Sequence, residues 1–138
     1  MDERDRVLEV NRRFYAAFLG GDLPVMEAVW AWVHPVACIH PGWHPMTDRE
    51  EILRSWREIF TTRRTLEIRI EREQVLQLTA DTALVICQEE VSIGLTAACN
   101  GFVLEDGVWR LALHHATPLA RIRTGDVARP HSGPPVLH

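Results

Sequence analysis

The sequence predicts an α+β domain in which helices come first and pack on one face of a curved antiparallel sheet. Three observations carry this: apolar residues recur at helical spacing over the first sixty residues, the period then changes to two, and short turn signals join the strand-like runs that follow. With 138 residues, 46% of them hydrophobic, the chain is sized for one core-forming domain.

From Asp5 to Leu19 the residues Val7, Val10, Phe14, Ala17 and Phe18 draw one apolar stripe along a helix, which Gly20-Gly21 ends. Tyr15, the only tyrosine, adjoins that stripe, and its facing is left open. Asp22 is a natural N-cap for a short second helix carrying Met26, Val29 and Trp30, with Pro24 in its first turn and His34-Pro35 after its end. Val36 to His40 reads as a brief strand, and Pro41-Gly42-Trp43-His44-Pro45 as a loop. A capping box, Thr47-x-x-Glu50, opens a third helix with Ile52, Leu53, Trp56, Ile59 and Phe60 on one face. Leu66, Ile68 and Ile70 then alternate with charged residues as a half-buried strand. Strands over 82–93, 97–104 and 108–116 follow, the last two joined by the hairpin signal Glu105-Asp106-Gly107. The domain is expected over 1–117, and 118–138 is a tail too poor in apolar residues to pack alone.

The composition excludes several classes. A net charge of −4 without a basic run argues against nucleic acid as a partner. No apolar run approaches the roughly 20 residues of a membrane span, and the polar N-terminus is unlike a signal peptide, so a soluble, cytoplasmic protein is expected. All 15 basic residues are arginine, which removes lysine Schiff-base chemistry and the phosphate-binding loop, and no GxGxxG run is present. No cofactor is expected. Cys38, Cys87 and Cys99 stand in apolar runs without CxxC spacing and read as buried thiols. His34, His40 and His44 lie close in sequence, but the prolines and glycine between them break the helical spacing a metal pair needs, so no metal site is predicted.

Strand parity selects the candidate site. Val36, Cys38 and His40 share a face, placing His40 at the strand end beside Trp43. Ala98, Asn100, Phe102 and Leu104 share another, so Asn100 is an amide in an apolar row that needs a partner. Counted from Trp109, Leu111 and Leu113, His115 points inward and His114 outward. An imidazole is the side chain best suited to general base work near neutral pH, which makes His40 the candidate base, with Asn100 and His115 assisting. Phe14, Phe18, Trp43, Trp56 and Phe102 are the candidate pocket walls. A purely structural role for each of these residues remains the competing reading.

The words Asn11-Arg12-Arg13-Phe14-Tyr15, Gly20-Gly21-Asp22, Cys38-Ile39-His40-Pro41-Gly42-Trp43 and Trp109-Arg110-Leu111, in this order of elements, resemble the SnoaL-like, ketosteroid-isomerase-like branch of the nuclear transport factor 2-like superfamily. The resemblance covers about residues 5 to 117 and implies a cone: a strongly bent antiparallel sheet around three helices, with a deep apolar pocket and a homodimer formed through the outer sheet face. For that face Val85, Cys87, Val91 and Ile93 are expected to point outward. The resemblance also implies that the isomerase base falls on His40, its tyrosine donor on Phe14, which has no hydroxyl, and its acid donor on Asn100, still able to donate to an oxyanion. Ketosteroid isomerisation itself is thereby disfavoured. Two readings remain: an acid–base isomerase, cyclase or dehydratase acting on a small apolar carbonyl-bearing molecule, or a non-catalytic ligand-binding or dimerising module. A metal-dependent enzyme is a distant third.

Overall fold

The computed structural model describes residues 1–62, 67–91 and 94–120. Three helices precede most of the sheet: α1 (Glu3–Gly20), α2 (Leu23–Val29) and α3 (Arg49–Thr62). Each start is capped by an aspartate. Asp2 accepts from Asp5 N at 2.8 Å and Asp22 from Val25 N at 3.2 Å. For α3 the cap is Asp48, which accepts from Glu51 N at 3.0 Å, so the expected box at Thr47 and Glu50 is displaced by one residue. Asp is a stronger capping acceptor than Thr, and Thr47 is left exposed just outside the helix. Gly21, at φ +63°, closes α1 in the left-handed conformation that glycine adopts without strain.

Five strands, β1 (Ala37–Ile39), β2 (Ile68–Leu78), β3 (Thr82–Val91), β4 (Gly94–Glu105) and β5 (Val108–Pro118), form one curved sheet in the order β1-β5-β4-β3-β2. β2 to β5 are antiparallel neighbours, as their short connections require, while β1 pairs in parallel with β5. The β4–β5 turn has Asp106 at φ +50° and Gly107 at φ +77°, the two left-handed residues of a tight hairpin. Leu66 and Ile93, which the sequence places in strands, and most of the expected tail lie outside the described residues.

The concave face of the sheet and the apolar faces of the helices bury one core, with Phe14, Trp30, Trp56, Phe102 and Leu111 fully enclosed. Burying an aromatic or leucine side chain contributes about 1.5 to 3 kcal/mol, so this cluster fixes the helices against the sheet. Two expectations fail here. Val85 and Cys87 face the core, with 0% and 6% exposure, and Val91 is half-buried, because in β3 the inward parity is that of Ala83, Val85, Cys87 and Glu89. Apolar composition on both faces of β3 hid the alternation. The second failure is β5, where Ala112 is an extra residue: Phe102 pairs with Leu111 but Gly101 pairs with Leu113. This bulge reverses the parity of all that follows, so His114 is buried and His115 is exposed.

Candidate functional site

The registers stack the inward residues in layers. Val85, Asn100, His114 and Cys38 are neighbours across four strands; Cys87, Ala98 and Ala116 form the next layer, and Glu89, Thr96 and Pro118 the next. Small side chains in the middle layer leave room. A cavity of about 460 Å³ opens beside Ala116 of this layer and Glu89, Thr96 and Pro118 of the next, with polar residues His40, Glu89, Thr96 and His114 among apolar walls that include Phe18, Trp43, Ile59 and Leu95.

His40 is brought to this cavity by the turn that follows β1. Trp43 N donates to His40 O at 2.9 Å, and Pro41-Gly42, with Gly42 at φ +83°, supplies the residues such a turn demands. The chain then folds back so that Cys38 and Met46 exchange backbone hydrogen bonds, both 2.9 Å. The turn seats the Trp43 ring 4.9 Å from the His40 ring, and Trp56 meets the same imidazole at 4.7 Å, edge to face.

Hydrogen-bond chemistry fixes the protonation of both imidazoles. Ser55 gives its one proton to Ile52 O at 2.6 Å, so its oxygen accepts from His40 Nε2 at 2.9 Å. His40 Nδ1 is then the nitrogen with the lone pair, with the Cys38 sulfur 3.9 Å away. His114 is set by a longer chain that starts at Glu73. Its carboxylate, paired with Arg12 at 3.0 Å, can only accept, so Asn11 presents Nδ2 to it at 2.8 Å and turns Oδ1 inward. Asn100 Nδ2 donates to that Oδ1 at 2.9 Å and to the Tyr15 hydroxyl at 3.0 Å. Asn100 Oδ1 is thereby left to accept from His114 Nδ1 at 2.7 Å, and the lone pair of His114 resides on Nε2. Tyr15 passes its own proton to Glu89 at 2.6 Å, and Thr96 donates to the other carboxyl oxygen at 2.5 Å.

Burial governs the electrostatics. It pushes both imidazoles down to about 3, helped at His40 by nearby His114 and at His114 by His115, so both are neutral at physiological pH. Burial raises the Glu89 carboxyl above its ordinary range, and the bonds from Thr96 and Tyr15 hold back part of that rise. It also pushes the Cys38 thiol up, away from nucleophilic character.

Of the residues singled out in the sequence, His40, Phe18 and Trp43 line the cavity. Phe14, Trp56 and Phe102 are fully buried behind it, with Phe14 4.9 Å from the His114 ring and Trp56 4.8 Å from Phe18. His115 is on the outer face and its place is taken by His114. Asn100 is buried at the centre of the network, but both its amide protons are committed, which removes the expected donation to an oxyanion. The hydroxyl missing at Phe14 is present one residue on, in Tyr15, where it too is committed to Glu89. His34 and His44 are exposed, and among the described residues no three His, Cys, Asp or Glu side chains converge as a ligand set. Sequence reasoning missed Asn11 and Glu89, although each leaves a signal: Asn11 interrupts the apolar stripe of α1, and Glu89 shares the parity of Ala83, Val85 and Cys87.

A curved, mostly antiparallel sheet closed over three N-terminal helices, with a cavity at one end, defines a nuclear transport factor 2-like fold. A SnoaL-like domain profile matches residues 7–121, and the chain belongs to the SnoaL-like domain family. No functionally curated protein matches the sequence. Among solved structures, a candidate dehydratase of the nuclear transport factor 2-like family from Streptomyces avermitilis is 29% identical, with a TM-score of 0.79 over 85% of this chain and 96% of that one. A protein from Thiobacillus denitrificans, described as a candidate association domain of calcium/calmodulin-dependent protein kinase type II, is 32% identical over 80% and 93%, with a TM-score of 0.75. A nuclear transport factor 2-like protein of unknown function from Pseudomonas putida shares 14% identity and a TM-score of 0.75 over 98% and 99%, a likeness of fold alone. No described helix is long and apolar enough to cross a membrane.

Proposed function

We propose that the protein is a cofactor-free acid–base catalyst, of dehydratase or isomerase type, acting on a small, largely apolar molecule that carries a hydroxyl or carbonyl group. One observation carries this reading: two buried neutral imidazoles have their N–H groups tied back into the protein, His40 to Ser55 and His114 to Asn100, and both line one cavity with the carboxyl of Glu89. Each imidazole can take a proton from a ligand without first losing one, and Glu89 supplies a third proton-accepting group, held by two donors. The likeness to a candidate dehydratase from Streptomyces avermitilis supports the same class.

Native mass spectrometry of purified protein identifies a retained small molecule, and incubation of that molecule with the enzyme in D₂O tests the chemistry. Deuterium incorporation or loss of water is expected with the wild type and is abolished in His40→Ala, with folding retained. Unchanged turnover in His40→Ala overturns the assignment of His40. A second reading, a binding module that turns nothing over, is favoured by the depressed imidazole basicity and the apolar walls. It predicts a retained ligand that exchanges no hydrogen. Homodimerisation, implied by the family resemblance, is tested in the same spectrum.

A further inference from the structure

Accepting this cavity as the ligand site, we infer that its occupant carries a hydrogen-bond-donating head group, a hydroxyl or an ammonium, on an apolar body, and that a ketone lacking such a donor is discriminated against. The ring N–H groups and the hydroxyl proton of the polar lining side chains are already spent inside the protein. His40 spends Nε2–H on Ser55, and His114 spends Nδ1–H on Asn100. Thr96 spends its hydroxyl proton on Glu89 Oε1, and the Tyr15 proton goes to Glu89 Oε2. The space is therefore lined by two imidazoles whose ring N–H groups are spent inside the protein and by a carboxyl group whose two oxygens already accept from Thr96 and Tyr15. Among the described lining residues, the side-chain donor outside these bonds is the Trp43 indole, which belongs to the half-exposed turn at 36% exposure, outside the buried polar cluster.

A carbonyl oxygen placed against this cluster meets acceptors and strands its own lone pairs after losing water. A hydroxyl meets them as a donor. A site built to hydrogen-bond a ligand's O–H or N–H rejects the analogue lacking it far more strongly than an apolar pocket distinguishes sizes, because the buried acceptors are then left unpaired. The remaining walls, Phe18, Ile59, Leu95 and Ala116 among them, are apolar and suit a hydrocarbon body. A carbonyl-bearing molecule, the substrate class expected from the sequence, is compatible with this site when it also carries the donor that anchors it.

Three probes that share one hydrocarbon frame, decalol, decalylammonium and decalone, test this by protein-observed NMR titration at neutral pH, following the Trp43 indole and the Ala116 methyl. At least tenfold tighter binding of decalol or of decalylammonium than of decalone is expected, and the better of the two states whether the donor is neutral or charged. Decalone binding as tightly as both, or more tightly, overturns the inference while leaving the cavity as the ligand site. If none of the three perturbs Trp43 or Ala116, the inference and the reading of the cavity fall together.

Discussion

Asn100 Oδ1 accepts the Nδ1 proton of His114 at 2.7 Å, and this contact decides which nitrogen of a buried imidazole is basic. The amide can hold that orientation because Asn11, oriented by Glu73, takes one of its protons and Tyr15 takes the other. Asn100 is thus a positioning residue, linking helix α1 to strand β5 through strand β4.

Asn100→Ala strands the buried Asn11 carbonyl and the buried His114 N–H. A buried polar group left without a partner costs about 1 to 3 kcal/mol, so a loss of at least this size is expected in urea denaturation. A change below about 0.5 kcal/mol, the size of an ordinary surface substitution, contradicts the network.

Tyr15→Phe deletes the hydroxyl that accepts from Asn100 and donates to Glu89. The carboxyl keeps Thr96 as its donor but loses the other, so its already raised titration point moves further up. Carbon-13 NMR titration of the Glu89 carboxyl detects the shift, and an unmoved titration contradicts the contact.

Acid sensitivity follows from the two imidazoles. Their folded values of about 3 lie below the ordinary histidine value of 6.5, so between these limits the unfolded chain binds protons that the folded chain refuses. Their contribution is fully present above about pH 6.5 and is lost as pH falls through the folded values, with a slope approaching about 1.4 kcal/mol per pH unit for each group. Glu89 works oppositely, since its raised value favours the folded state at low pH and lowers stability as pH rises through it. Two imidazoles outweigh one carboxyl, and Tm is expected to fall steadily from neutral pH to about pH 4. A flat profile over that range contradicts the buried, neutral state of both rings.

Ala116 is a small residue of β5 that lines the cavity together with His40 and His114. Ala116→Leu fills that space from the sheet side. Circular dichroism is expected to show a folded protein, while decalol affinity falls at least tenfold; unchanged affinity places the ligand elsewhere.

Much of the fold was legible because local signals agreed with one another. The stripe from Val7 to Phe18 and the alternation of Ile68 and Ile70 with charged residues each name an element and its apolar face, and Gly20-Gly21 names the end of the first helix. The position of His40 was legible too, from three-residue parity and a Pro-Gly turn. What was hidden is what depends on pairing. One bulge residue, Ala112, exchanged His114 for His115, and no pattern in the single strand announces it, since Leu111, Ala112 and Leu113 are all apolar. In β3, Leu84 and Ile86 on the outer face made Val85 and Cys87 look interchangeable with them, although Glu89 in the inward row marked the polar end of the cavity. The tautomers were beyond sequence altogether, because they depend on a chain of contacts from Glu73 in β2 to His114 in β5.

His40 and His114 are neutral and carry their protons on opposite nitrogens, a state that long-range proton–nitrogen correlation NMR of the imidazole rings at neutral pH reads directly. The structure predicts a proton on Nε2 of His40 and on Nδ1 of His114, each with its partner nitrogen unprotonated. An imidazolium pattern at either ring, or the reverse tautomer at His114, would contradict the account.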